Sequence, residues 1–200
     1  VHAEYNMPEV GARLTLTYSI MADGSMRVTQ QMTPKTANEQ PFLLRYGMVM
    51  QLPYDMQVSE FYGRGPIENY ADRKLSQNVG IYKQTADEQF YPYIRPQETG
   101  TKSDIRWWKQ ENQNGFGFRI LSNELFSASA LHYSIDDLND GDEKEQRHSP
   151  QVPKSKYTEL CIDQLQAGVG GVNSWNSDAR ALPQYRVGYK DRSFTFYLIP

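Results

Sequence analysis

The segment 13–20, RLTLTYSI, alternates without a break: Leu14, Leu16, Tyr18 and Ile20 share one face of an extended chain, with Thr15, Thr17 and Ser19 on the other. Successive side chains of a strand point to opposite faces, so this period commits the segment to a half-buried strand. Asp23-Gly24 follows, a pair suited to tight hairpin turns, and Met26, Val28 and Met32 then resume the pattern in SMRVTQQM. The same grammar recurs along the chain. PFLLRYGMVMQL (41–52) is a more continuously apolar strand, and MQVSEFYG (56–63) follows it. DIRWWKQ (104–110) turns through Asn114-Gly115 into FGFRILS (116–122), and QYRVGYK (184–190) is expected to turn at Lys190-Asp191-Arg192 into SFTFYLIP (193–200). Long segments of helical period are missing, whereas 14 Tyr and 8 Phe favour strands. Short strands at roughly ten-residue spacing predict an antiparallel all-β sandwich or barrel. With no linker, repeat or low-complexity tract, residues 1–200 are read as one domain.

Two stretches depart from that pattern. GRGPIENYADRKLSQN (63–78) is turn-rich and polar, and DDLNDGDEKEQRHSPQVPKSK (136–156) is dense in charge and proline, as a solvated loop would be. The net charge of −3 and scattered Lys and Arg recommend neither nucleic acid nor an anionic membrane surface as a partner. A single cysteine, Cys161 in YTELCIDQL, leaves no internal disulfide and reads as a small buried hydrophobe. No run reaches the ~18 apolar residues of a membrane-spanning helix. The chain opens on Val1 and ends on a strand, so it is expected to be a piece of a longer polypeptide. Nothing in it fixes the compartment.

The candidate chemistry is sparse. Glycosidic hydrolysis needs two facing carboxylates, ~5–5.5 Å apart for retention. Glu68, Asp72, Glu98 and Asp104 are the candidates. Glu68 and Asp72 stand in one loop beside Arg64 and Arg73, which predicts a bracing ion-pair network, and Glu98 between Pro96 and Gly100 is expected to cap a turn amide. His2, His132 and His148 lack metal-ligand spacing, and no P-loop, nucleophile elbow or dinucleotide fingerprint is present, so no complete active site and no metal site are expected here. The aromatics say more. Trp107 and Trp108 are adjacent on a strand and must face opposite ways, one into the core. Trp175 instead follows a glycine-rich loop, GVGGVNSW (168–175), with Asn173 and Ser174 beside it. A rigid ring next to polar groups suits the C–H face and hydroxyls of a sugar, but it also suits a simple core plug.

Three ordered stretches then carry a resemblance: FYGRGPIENYADRK (61–74), YIRPQETGTKSDIRW (93–107) and QLQAGVGGVNSWNSDA (164–179), with LRYGMVMQLP (44–53) ahead of them. The chain resembles the C-terminal, small-chain domain of the large bacterial β-galactosidases of glycoside hydrolase family two. That resemblance implies an antiparallel supersandwich like galactose mutarotase, here lacking its first strands and so leaving an open edge or an exposed apolar face. It implies a parent polypeptide whose TIM barrel holds the catalytic glutamates. The magnesium and sodium sites are implied to lie mainly in other domains, and a homo-oligomeric parent is compatible with it. The motif G-[IV]-G-G-x-x-S-W places Trp175 as a platform that stacks on the galactoside at the mouth of the barrel pocket. Gly168, Gly170 and Gly171 would then let the loop pass close to a neighbouring domain, and Asn173 and Ser174 would fix its turn. The alternatives are a free-standing carbohydrate-binding sandwich using Trp175 and Trp107 or Trp108, and a mutarotase-type epimerase, whose acid and base the three histidines are poorly placed to supply.

Overall fold

A computed structural model describes residues 1–35, 42–139, 147–173, 176 and 179–200. Among them ten strands join in one antiparallel sheet: β1 (His2–Met7), β2 (Ala12–Ile20), β3 (Met26–Pro34), β4 (Arg45–Pro53), β5 (Val58–Gly65), β6 (Asn78–Thr85), β7 (Lys102–Glu111), β8 (Gly117–Leu131), β9 (Tyr157–Gln166) and β10 (Arg192–Ile199). Two single-turn helices, α1 (Ala86–Gln89) and α2 (Ile135–Leu138), each start on a capping box, from Thr85 and Ser134. The main path runs β1-β2-β3-β10-β8-β7-β5-β6, and β9 carries β4 as a branch from β8.

The long strand β8 makes the layers. Its first half, Arg119–Ser122, pairs with β10, and its second half, Ser127–Leu131, pairs with β9. The branch therefore folds over the main path, and the Tyr46 hydroxyl of β4 donates across the interior to the carbonyl of Gln30 on β3 at 2.9 Å. The result is a sandwich whose core takes alternate residues from both layers, among them Val28, Phe61, Trp108, Ile120, Phe126, Leu160, Ile162, Phe194 and Phe196. Cross-strand register aligns Phe61, Trp108 and Ile120 inside, with Phe61 and Trp108 stacked at 5.0 Å. One residue out of phase, Tyr62, Trp107 and Leu121 line up outside, where Arg106 lies over Tyr62 and Arg119 over Trp107. The adjacent tryptophans thus divide between core and surface, and Trp108, fully buried, is excluded as a sugar platform.

The expected hairpin between QYRVGYK and β10 does not form. Pro183–Tyr185 is a 3-10 turn, Val187 makes one isolated bridge to Leu43, and β10 is flanked by β3 and β8. Both ladder edges of β10 are occupied, so the preceding segment has nowhere to pair. Among the described residues the open edge expected ahead of RLTLTYSI falls on β1, which pairs along its length with β2 and is one end of the sheet, and exposed Val79 and Ile81 stand on the opposite edge strand, β6. Cys161 is buried in β9, and burial pushes the thiol up to about 12.

Candidate functional site

The polar loop 63–78 is not a solvated connection. Asn69 is fully buried and staples it: its amide nitrogen donates to the carbonyls of Arg64 and Ile67, both at 3.0 Å, and its side-chain oxygen receives the Ser103 amide at 3.0 Å. The next residue back, Glu68, is the centre of the site. Among the described residues its carboxylate receives five donors: Tyr70 Oη at 3.2 Å, Arg73 Nη2 at 2.6 Å, Thr99 Oγ1 at 3.1 Å, the Gly100 amide at 2.7 Å, and Tyr93 Oη. Burial alone would raise this carboxyl, but the hydrogen bonds from Tyr93, Gly100 and Thr99, with the Arg73 charge, hold it below the usual range. Gly100 can present its amide because it sits at φ +81°, and a Cβ there would lie 2.9 Å from Leu131 and 3.0 Å from the Gln89 carbonyl. Beside this hub Lys102 is 1% exposed, donates to the Gly100 carbonyl at 2.8 Å, and is lowered by burial to about 8.

Two further ion pairs frame the hub. Arg64 and Lys74 meet the two oxygens of Asp104, at 2.6 and 2.7 Å. Asp104 has φ +52° and falls where the β7–β8 register shifts, so a bulge turns its carboxylate toward both cations. On β4, Arg45 lies 2.9 Å from the buried Asp163 of β9 and 3.6 Å from Glu98. Burial pushes Asp163 up to about 6 even though the Arg45 guanidinium opposes the shift.

Between these groups opens a cleft of about 560 Å³ whose wall includes Arg45, Asp72, Arg73, Tyr93, Glu98 and Gly168. Its volume is within the range of small-molecule sites, and guanidinium, carboxylate and phenol groups converge on it. The glycine loop forms one rim. Ala167 donates to the Leu44 carbonyl at 2.8 Å and Gly168 to the Tyr185 carbonyl at 2.9 Å. The amides of Val169 and Gly170 both donate to Asp72, at 3.2 and 2.7 Å. A Cβ on Gly168 would lie 2.5 Å from the Asp72 carboxyl carbon, and one on Gly170 would lie 3.2 Å from Oδ2.

The sequence-predicted residues distribute as follows. Gly168 and Gly170 meet at Asp72 of their own chain, and this is the close approach that their missing Cβ atoms allow. Gly171 is exposed, and Asn173 Nδ2 donates to Asn176 Oδ1 at 3.4 Å. Ser174 and Trp175 lie outside the described residues. Arg73 pairs with Glu68 as expected, but Arg64 turns to Asp104 and Asp72 to the loop amides. Glu98 receives the Thr101 hydroxyl at 3.3 Å rather than a turn amide, because Arg45 draws its other oxygen toward the cleft. His132 is buried, stacked on Tyr54 at 3.8 Å, and lowered by burial, while His148 Nδ1 is 3.1 Å from the Ile94 carbonyl oxygen. Sequence reasoning missed Tyr93, Arg45 and Asp163; an arginine and an aspartate interrupting apolar strands were the only available signal. Among the described residues no three His, Cys, Asp or Glu side chains gather as metal ligands.

Comparison with known proteins gives a consistent result. Residues 1–198 match the family model described as the β-galactosidase small chain. The chain is 35% identical over 180 residues to a β-galactosidase of Priestia megaterium, covering 90% of this chain and 16% of that protein. It is 31% identical to β-galactosidase BgaC of Bifidobacterium adolescentis, covering 86% of this chain and 17% of that protein. It is 34% identical to a β-galactosidase of Lactobacillus delbrueckii subsp. bulgaricus, covering 81% and 15%. The chain thus spans about a sixth of the length of these relatives.

Proposed function

Because the chain belongs to the β-galactosidase small-chain family, we propose that it is the C-terminal domain of a longer retaining β-galactosidase and that it supplies Trp175 to the mouth of the active site. The observation that carries the division of labour is the state of the carboxylates. Glu68 is filled by five donors, Asp104 by Arg64 and Lys74, Asp72 by two amides, and Glu98 by Arg45 and Thr101. Each candidate acid is taken up by partners within this chain, which supports assigning the retaining carboxylate pair to the TIM-barrel part of the parent. The magnesium and sodium that the family resemblance implies for the parent are proposed to lie in its other domains. What this domain offers substrate is the rim of the cleft, from which the loop runs on to Trp175.

If the ring stacks equally on bound galactoside and on the transition state, its loss removes uniform binding. Trp175→Ala in the complete polypeptide is expected to raise KM about ten- to a hundredfold, the equivalent of ~1–3 kcal/mol of aromatic contact, with kcat falling much less. Trp175→Phe should keep part of the effect. An unchanged KM in the alanine variant refutes the platform. The chain alone should not turn over a chromogenic β-galactoside.

A second reading, sugar binding by this chain without the barrel, draws on the cleft and its convergent polar groups. Calorimetric titration of the chain with galactose and lactose separates the two. The epimerase reading loses support, since His132 is buried against Tyr54 and His148 faces the Ile94 carbonyl.

A further inference from the structure

Two of the most distinctive stretches, ENYADR (68–73) and GVGGVNSW (168–175), are a hundred residues apart in sequence, and a single side chain joins them. We propose that Asp72 is the positioning residue for the sugar platform: its carboxylate fixes the stem of the loop that carries Trp175. The proposal rests on the reading of Trp175 given above.

The geometry is that of an anion seated on consecutive amides. Oδ1 accepts the Val169 amide at 3.2 Å and Oδ2 the Gly170 amide at 2.7 Å. Asp72 has no Lys or Arg partner among the described residues, since the two arginines of its loop are drawn to Asp104 and Glu68. Its charge is therefore directed at the loop. The fit is also steric, because the space a side chain at Gly168 would need is taken by the Asp72 carboxyl, 2.5 Å away. With the bonds from Ala167 to Leu44 and from Gly168 to Tyr185, residues 167–170 are tied at every position. Trp175 follows Gly170 by five residues, at most roughly 17 Å of extended chain. A stem held on Asp72 restricts where that ring can be delivered, and small displacements of a binding group are costly to recognition.

The carboxylate is required, not merely its shape. Asparagine accepts through one atom only, and its amide group would set N–H against N–H of Val169 or Gly170. Asp72→Asn thus releases the stem with almost no change in volume. Gly168→Ala releases it from the loop side by driving a Cβ into the carboxyl. Glu68, Asn69 and the core keep their partners in both variants.

The test is steady-state kinetics of the complete polypeptide on a β-galactoside, with Asp72→Asn, Gly168→Ala, Trp175→Ala and the two doubles that add Trp175→Ala. Asp72→Asn and Gly168→Ala are each expected to raise KM about three- to tenfold, a fraction of what removing the ring itself costs, with kcat changed less than twofold. Neither should raise KM further once Trp175 is alanine, because both act through the ring. Simple destabilisation lowers the folded fraction and so the apparent kcat; it leaves KM alone. If Trp175→Ala raises KM while Asp72→Asn and Gly168→Ala do not, or if their effect persists undiminished in the Trp175→Ala background, the positioning role is refuted and the platform stands. If Trp175→Ala leaves KM unchanged, the platform itself is refuted, and the role with it. Should Asp72→Asn fail to fold, Gly168→Ala and its double decide the question by the same criteria.

Discussion

Glu68 and Asp72 stand four residues apart in one loop and carry the same charge, yet the fold uses them in opposite ways. Glu68 is buried and saturated by donors from its own loop and from 93–100, so its charge closes a piece of architecture. Asp72 is half-buried on the cleft wall and holds two amides of a distant loop. A carboxylate with every lone pair used inside the protein is costly to disturb and of no use to a ligand. One at a rim, holding backbone that leads elsewhere, influences binding without supporting the fold.

The sharpest way to break this contrast is to remove the hub. Glu68→Gln keeps the volume but loses the ion pair with Arg73 and sets an amide donor against some of the five donors, and each buried donor left without its acceptor costs about 1–3 kcal/mol. Its melting temperature should fall by many degrees, with Asp72→Asn far closer to wild type. Equal losses in the two variants, measured by thermal melting, would erase the distinction.

The pH dependence is expected to be the next largest effect. Glu68 is held below its ordinary value, so its stabilising contribution is present above pH 4.5 and is lost as pH falls through the folded-state value. Lys102 acts in the same direction on the basic side, although its charged form is the one burial disfavours. Its folded-state value of about 8 lies below its ordinary 10.5, so at intermediate pH the unfolded chain keeps a proton that the folded chain has released. Stability should therefore rise with pH from about 8 toward 10 through this group. Urea midpoints across that interval should show the rise in wild type and lose it in Lys102→Met; parallel curves for the two proteins would remove Lys102 as its source.

At the far end of the scale stands Asp87, on α1, 2.7 Å from Lys154 with both side chains exposed. Solvent screens such a pair, and Asp87→Asn should shift stability by no more than about 1 kcal/mol. A loss comparable to that of Glu68→Gln would mean that burial is not what ranks these carboxylates.

How much of this could be read beforehand differs by scale. The strands β2, β3, β5 and β7, the turns at Asp23-Gly24 and Asn114-Gly115, and the opposed faces of Trp107 and Trp108 follow from a two-residue period, which each segment carries within itself. The Arg73–Glu68 pair was legible because both residues share one loop. The partners Tyr93, Thr99 and Gly100 were not, because they come from another stretch and no local pattern says where it will lie.

By itself, then, the sequence determined an antiparallel all-β chain, its strand faces and several of its turns, because side-chain alternation and turn chemistry are local properties of the backbone. Only the tertiary structure decided that QYRVGYK forms no hairpin with β10, since β3 and β8 occupy both edges of β10. It alone decided that Arg64 serves Asp104 rather than Asp72, because a bulge at Asp104 turns that carboxylate toward Arg64 and Lys74. And it alone seated Asp72 under the amides of Val169 and Gly170. A hydrogen bond spanning 98 residues depends on how the layers close over one another, which no short stretch of the chain encodes.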